Sequence, residues 1–439
     1  MDRILTLEIG GFRGSKSPIF FQFDPQVNFF IGRNGTGKTT LMNLLNYVLQ
    51  GDFVALGRAD FEYLNVKLIS TNNRSRPQIK VNKEFEPDGD LIIVYRIFIR
   101  SKDKGEIFRI KLSDLQSPWR LRDSKNWPLR LFGRSEFSDS SSAIQNSLKK
   151  LIGVSWISVH RGSMGVPDGG KLGVPDEGDR KFSTPVDRKL YQVSRDFGAY
   201  FSTLDKAAAD ESDKFQQSYF LSLISPPLVN SIENVSNINI DEETSSIEGM
   251  FKEFNFDSIV YRKKLDIFSQ KLRTSLSNYM SNPKGPISGD QFLVLTDAVR
   301  IHSAVGDWHS LIKRREIIYA PKNNFVQIVN ELFYKKKLEI DSGNSPIFIN
   351  EEGVIISIDD LSTGEKQMFI ILSEALLQKH STCIFLADEP ELSLHIEWQE
   401  RLVPNLRRIN PNAQIIFATH SPDIVGAYGS KAINLEHRT

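Results

Sequence analysis

Apolar residues along this chain switch between two periods, and the switches mark its organisation. From Ile4 to Ile9, and again from Ile19 to Phe23, apolar and polar positions alternate, as in a half-buried strand. Val27 to Ile31 is a short apolar run that ends in glycine-rich sequence, and Leu41 to Leu49 continues with helical spacing. Val66–Ile69, Gln78–Val81, Leu91–Ile99 and Ile107–Ile110 read as strands. The turns Asp88-Gly89-Asp90 and Lys104-Gly105 punctuate them, which predicts an antiparallel meander between Phe61 and Leu112. A short helix over Ala143–Ile152 then leads into a strand over Val154–Val159.

Residues 161–184 are rich in Gly, Pro and Asp and read as a loop, with Gly165-Val166-Pro167-Asp168 nearly repeated at Gly173-Val174-Pro175-Asp176. Beyond them the period is helical. Leu190, Val193, Phe197, Phe201 and Leu204 share one helix face, and Phe215 to Ile224 continues until Pro226-Pro227. Leu265, Phe268, Leu272 and Leu276 repeat the stripe up to Pro283. Helices of a few heptads predict a short hairpin or lobe rather than a coiled-coil rod. From Glu316 the α/β pattern returns. A helix over Phe325–Phe333 precedes strands at Leu338–Ile340, Ile347–Ile349 and Val354–Ile358. A helix ending near Leu377, strands at Cys383–Ala387 and Ile415–Ala418, an intervening helix from Ile396 and a terminal strand near Ala432–Leu435 complete the chain. The expected organisation is an N-terminal lobe over 1–160, a helical insertion over 161–314 and a C-terminal lobe over 315–439.

Composition changes this picture little. A chain with 40% hydrophobic and 25% charged residues is ordinary globular protein. A formal net charge of +1 makes no general case for nucleic-acid binding. No apolar run approaches the roughly 18–20 residues needed to cross a bilayer, so no membrane partner is expected. The single cysteine, Cys383, excludes an intramolecular disulfide and a cysteine-rich metal site. It falls in an apolar strand and is expected to be a buried structural thiol. These features predict a cytoplasmic protein.

The chemistry begins at Gly32-Arg33-Asn34-Gly35-Thr36-Gly37-Lys38-Thr39. Glycines at these positions let successive backbone N–H groups turn inward around a phosphate. Lys38 supplies a point charge to the β/γ oxygens, the Thr39 hydroxyl can ligate Mg²⁺, and the helix that follows adds its dipole. Asn34, Gly35, Thr36, Gly37, Lys38, Thr39 and Thr40 are therefore the expected nucleotide-binding residues. Asp388 and Glu389 end another apolar strand. Asp388 suits Mg²⁺, and Glu389 suits orienting or deprotonating an attacking water. The expected cofactor set is ATP with Mg²⁺.

Leu361-Ser362-Thr363-Gly364-Glu365-Lys366-Gln367 specifies the class. Ser362 followed by Glu365 is a capping box, and a capped helix N-terminus is also what an anion needs. With the phosphate loop and the Asp388-Glu389-Pro390 segment, this motif resembles the signature of ATP-binding cassette ATPases. The resemblance is to their soluble branch, the RecF, SMC and OLD-like group, which includes ATPase subunits of anti-phage systems such as PARIS and Septu. It implies an α/β fold, a P-loop NTPase of cassette type with a mixed sheet, an antiparallel β meander and a helical insertion. It also implies ATP hydrolysis by a head-to-tail dimer or higher homo-oligomer, with Ser362, Gly364 and Glu365 of one copy facing the γ-phosphate held by the other. His420, in Ala418-Thr419-His420-Ser421-Pro422, resembles the switch histidine and joins Glu389 as a catalytic candidate. Glu391-Leu392-Ser393-Leu394-His395 occupies the D-loop position, and Ile396 stands where many relatives carry proline.

The resemblance is weakest at the glutamine loop, where His160 or Arg161 stands in its place. Arg13, with Ser15, sits where relatives place a turn near the nucleotide. Pro118 to Arg134 interleaves Arg and Lys with Trp119, Trp127 and Phe132, a pattern open to nucleic acid, to a protein partner or to a plain solvated loop. OLD proteins carry a nuclease after the ATPase. No such nuclease is expected in the short tail after His420, so a separate effector such as a nuclease is the expected partner, with DNA a further one. The resulting expectation is a sensor or regulatory ATPase of an anti-phage complex; the alternative is a RecF- or SMC-like DNA clamp in repair or chromosome maintenance.

Overall fold

The computed structural model describes residues 2–70, 75–99, 105–113, 134–157, 184–224, 239–282 and 285–436, with backbone alone over 134–141. In order the chain forms β1 (Asp2–Gly10), β2 (Ile19–Gln22), β3 (Val27–Ile31), α1 (Lys38–Gln50), α2 (Phe53–Arg58), β4 (Tyr63–Ser70), β5 (Gln78–Phe85), β6 (Leu91–Phe98) and β7 (Glu106–Lys111). Then come α3 (Arg134–Leu151), β8 (Val154–Ile157), α4 (Pro185–Ile224), α5 (Ile240–Glu253), α6 (Ser258–Ser281) and α7 (Gly289–Leu332). The C-terminal part holds β9 (Lys336–Ile340), β10 (Pro346–Asn350), β11 (Ile355–Ile356), α8 (Thr363–Leu377), β12 (Ile384–Asp388), α9 (Ile396–Ile409), β13 (Gln414–Ala418), α10 (Pro422–Val425) and β14 (Ala432–Asn434).

The chain separates into two compact units, one of Met1–Ala199 with Asn324–Thr439 and one of Tyr200–Asn323. In the first, five strands in the order β14-β3-β13-β12-β8 make a parallel sheet. β13 is buried along its whole length, as a parallel strand covered on both faces should be. Six strands in the order β2-β1-β4-β5-β6-β7 make an antiparallel sheet, so the meander takes in the first two strands as well. Leu41, Met42, Leu45 and Val48 of α1 join one core with Ile4 and Leu7 of β1, Tyr95 of β6 and Ile384 and Leu386 of β12, so α1 is packed by residues of both sheets. Gln414, fully buried, ties the sheets together. Its Oε1 accepts the Ile4 N–H at 2.7 Å, and its Nε2 donates to the carbonyls of Ile4 and Asp24, both at 2.8 Å. β9, β10 and β11 form a small antiparallel sheet. There the expected Val354–Ile358 strand shrinks to two residues and passes into a 3-10 turn at Ile358–Asp360.

The first turns of α4 belong to this unit. Leu190, Val193 and Phe197 are fully buried. Phe197 stacks on Phe369 of α8 at 5.7 Å and lies 5.1 Å from Phe325 of α7. The second unit is helical. Leu272, Leu276, Leu295 and Ala298 form one cluster, and Phe215, Trp308 and Leu311 another.

Two helices are longer than the few heptads expected. α4 has 40 residues and α7 has 44. Between the stripes of α4 lies Asp205 to Lys214, polar but rich in good helix formers, so the helix persists where the apolar pattern lapses. α7 absorbs Pro321 without ending. His160, Arg161 and the basic-aromatic stretch up to residue 133 lie outside the described residues.

Burial pushes the Cys383 thiol up to about 12. Native protein at about pH 8 is therefore expected to resist iodoacetamide, since the thiolate is the nucleophile, and to react once denatured. Rapid native alkylation, read by mass spectrometry, would contradict the buried strand position.

Candidate functional site

Three neighbouring strands deliver the chemistry to one edge. β13 pairs in parallel with β3 on one side and β12 on the other, and Asp388 sits opposite Ala418 in that register. The loops leaving the carboxyl ends of β3, β12 and β13 therefore emerge side by side, where open α/β sheets hold ligands. They carry the phosphate loop, Asp388-Glu389 and Thr419-His420. Their mutual position is set by backbone bonds: the Thr419 N–H donates to Phe30 at 3.1 Å and the Glu389 N–H to Ala418 at 2.8 Å.

Gly35 and Gly37 adopt φ of 86° and 93°, the left-handed region that lets amides turn inward. Gly37 has a second reason to lack a side chain, since a Cβ would stand 3.0 Å from the Arg13 Nη1. That guanidinium donates to the Gly35 carbonyl at 2.7 Å, and Arg13 itself has φ 53°. Lys38 donates to the carbonyls of Gly32 and Arg33 at 2.8 and 3.1 Å. Burial pushes its ammonium below the usual range, opposed by the charges of Glu389, Asp388, Glu391 and Glu436. The Thr36 hydroxyl donates to the Arg33 carbonyl at 2.9 Å, closing the loop on itself. Thr40, next in α1, is exposed, as are Asn34 and Gly35.

The Thr39 hydroxyl donates to the Asp388 carboxylate at 3.3 Å, across 349 residues of sequence. A hydroxyl and a carboxylate meeting beside a phosphate loop fit Mg²⁺, which is usually bound by one or two carboxylates together with substrate phosphates. Among the described residues no group of three or more His, Cys, Asp or Glu side chains forms an all-protein cage. Glu389 has φ 50°, a costly conformation for a non-glycine residue, and its Oε1 lies 4.0 Å from the His420 Nε2.

Ser362 caps α8 with both halves of the capping box: its hydroxyl accepts from the Glu365 N–H at 3.3 Å, and its N–H donates to Glu365 at 2.8 Å. Glu365 is also held by Lys336 at 2.8 and 2.9 Å, so its carboxylate is engaged within its own chain. Gly364 has no room for a side chain, because a Cβ would meet the Ser393 carbonyl at 2.4 Å. Gln367, fully buried, donates to the Pro390 carbonyl at 3.1 Å. Lys366 pairs with Asp187 of α4 at 2.8 Å, and Lys189 donates to Glu374 at 2.5 Å.

The sequence places Glu391 in the D-loop segment and Gln367 in the signature without an individual role for either, and assigns nothing to Gln399. Gln367 was visible as the last letter of the signature motif. Nothing local marks the contacts that Glu391 and Gln399 make with Thr419, His420 and Ser421, just past the carboxyl end of β13.

The chain belongs to the family described as AAA ATPase domain, whose sequence model matches residues 3–425. It is 23% identical over 263 residues to the Retron Vc95 probable ATPase of Vibrio cholerae serotype O1 biovar El Tor, covering 57% of this chain and 46% of that protein. It is 27% identical over 131 residues to the Retron Ec83 probable ATPase of Escherichia coli, covering 26% and 24%. The matches thus span less than half the length of either relative. Among solved structures it is similar to the Smc head domain with an extended coiled coil bound to the C-terminal domain of ScpA, derived from Pyrococcus furiosus. That match has 15% identity and a TM-score of 0.41 and covers 99% of this chain and 93% of that one. The SMC head domain from Thermotoga maritima gives 11% identity and a TM-score of 0.35, covering 98% and 92%.

Burial acts to raise the Glu365 carboxyl, but the hydrogen bonds from Lys336 and Ser362 outweigh it and hold the group below its ordinary 4.5. A depressed folded-state value stabilises the fold above the unfolded value, and that contribution is lost as pH falls through the folded one. Acid unfolding, followed by circular dichroism, is expected to be less pH-dependent below about pH 4.5 in Glu365→Gln than in the native chain. Superimposable acid limbs would contradict the assignment.

Proposed function

We propose that this AAA ATPase-domain protein hydrolyses ATP, closing head to tail on a second copy so that the signature of each completes the site of the other. The observation that carries the reading is the meeting of Lys38, the Thr39–Asp388 contact, Glu389 and His420 at adjacent strand ends.

In this mechanism the phosphate-loop amides and Lys38 hold the β- and γ-phosphates, with Lys38 exchanging its bonds to the Gly32 and Arg33 carbonyls for phosphate oxygens. Mg²⁺ held by Thr39 and Asp388 would neutralise phosphate charge. Glu389 orients a water and takes its proton as the water oxygen bonds to the γ-phosphorus. The bond from that phosphorus to the β–γ bridging oxygen breaks, and ADP leaves with the oxygen. His420, beside Glu389, donates a hydrogen bond to the γ-phosphate. Across the dimer, Ser362 and the start of α8 present a capped, exposed helix N-terminus to the same phosphate.

The biological reading is a regulatory ATPase in anti-phage defence that controls a separate effector. The family resemblance of the signature and of the Asp388–His395 segment supports it. Relatives named as retron ATPases agree with the ATPase component. Copurification with a nuclease or toxin-like protein would support this role. A salt-sensitive mobility shift of DNA by the isolated protein would instead favour a DNA clamp.

Glu389→Gln is expected to retain ATP, to lower turnover by at least about a hundredfold, and to accumulate dimer on size exclusion with ATP. Undiminished phosphate release would remove Glu389 from the chemistry. Ser362→Arg is expected to bind a fluorescent ATP analogue normally while losing both ATP-dependent dimer and turnover. Normal hydrolysis by that variant would sink the shared-site arrangement.

A further inference from the structure

Glu391, the first residue after the Asp388-Glu389-Pro390 segment, reaches across to the loop that carries His420. Its Oε1 accepts two hydrogen bonds there, from the Thr419 hydroxyl at 2.8 Å and from the His420 N–H at 2.7 Å. Thr419 is fully buried, and its hydroxyl also accepts from the Ser421 N–H at 2.9 Å, so one carboxylate oxygen fixes the turn around the histidine. A parallel strap runs through Gln399. Its Nε2 donates to the Leu394 carbonyl at 2.9 Å, and its Oε1 accepts from the Ser421 hydroxyl at 2.6 Å. Both straps start in 391–399 and end in 419–421. The D-loop and the histidine turn are therefore fastened together at two points.

The D-loop is fastened to the signature as well, by Gln367 on the Pro390 carbonyl and by the Ser393 carbonyl seated against Gly364. Glu391 thus joins the segment beside the signature to His420, the group that the mechanism above assigns to the γ-phosphate. The second oxygen of Glu391 is buried and has no hydrogen-bond partner among the described residues, and the carboxylate adds to the negative field at Lys38. An acid committed to two donors on another loop, at the cost of a buried unpaired oxygen, is hard to explain as generic D-loop surface.

We propose that Glu391 is a positioning residue for His420. It sets the histidine turn through the Thr419 hydroxyl and the His420 amide, so that a displacement of the D-loop displaces His420 with it. This rests on the ATPase reading above for its catalytic consequence, but the bracing itself does not.

The test uses the full chain and has two arms. In the first, amide hydrogen exchange is measured without nucleotide on native protein, Glu391→Ala and Glu391→Gln. His420 and Ser421 should exchange faster in Glu391→Ala, while Glu391→Gln, which keeps an acceptor oxygen, stays near native. Equal exchange in all three would overturn the brace. In the second arm, Glu391→Ala is expected to lower kcat about tenfold to a hundredfold with the affinity for an ATP analogue within about twofold of native. Glu391→Gln should recover most of the rate, and Glu391→Ala should cost nothing further in a His420→Ala background. An unchanged kcat, a parallel loss of nucleotide affinity, failure of the glutamine to rescue, or an undiminished loss in that background would each overturn the proposal. If His420→Ala alone is fully active, the catalytic reading of His420 fails, and the exchange arm still decides the brace.

Discussion

Everything at this site depends on β13 lying between β3 and β12. Three parallel strands in that order place the phosphate loop, the Asp388-Glu389 end and the His420 turn at one edge. The threading is enforced from within. β13 is wholly buried and packs Phe417 between Phe29 and Phe385, at 6.4 Å from each. At its start, Gln414 spends its side-chain amide on Ile4 and Asp24. A slip of one residue would take the amide from these partners and send Phe417 to the opposite face of the sheet. It would also carry Thr419 away from the Phe30 carbonyl. The mutual position of the three loops is therefore a property of the core.

On that frame the loops are joined by backbone approaches too close for ordinary residues. Ser393 takes φ 68° and lays its carbonyl where only Gly364 leaves room. Glu389 takes φ 50°. Such conformations cost roughly 1–3 kcal/mol each and persist only where surrounding contacts over-determine them. Here the contacts are the Glu389 N–H on Ala418, the Gln367 amide on Pro390 and the Leu394 N–H on Glu391. The strain sits in the segment that must keep a carboxylate beside His420 and a turn beside the signature at the same time.

The sequence made the elements of this arrangement legible and left their fastening hidden. Glycines at 32, 35 and 37 before a helix, and acids after the apolar run from Cys383, have local causes and could be read locally. The Thr39–Asp388 contact could be anticipated because both residue types have defined roles around a nucleotide. Arg13 was placed near the nucleotide by resemblance, and its bond to Gly35 follows from a left-handed turn that the sequence shows only as Gly11-Phe12-Arg13-Gly14. Glu391 and Gln399 were illegible. Their partners are 22 to 29 positions away and meet them only because β13 returns beside β12. Helix lengths failed for a different reason. An apolar stripe reports the face a helix buries, so it falls silent over Asp205–Lys214, where α4 continues with no comparable stripe.

The electrostatics of the assembled site carry one further consequence. Glu389, Asp388, Glu391 and Glu436 all act on Lys38, so the ammonium of the phosphate loop lies in the field of several carboxylates. Lys38 spends donors on the Gly32 and Arg33 carbonyls, and Arg13 spends one on Gly35. A polyphosphate entering alone would add its charge to that of the carboxylates and would have to break these bonds. With a divalent cation held by Thr39 and Asp388, the nearest carboxylate would act as a ligand instead of a repulsive charge, and Lys38 could turn to the phosphates. On the proposed mechanism, such a site would favour the cation–nucleotide complex over the free anion.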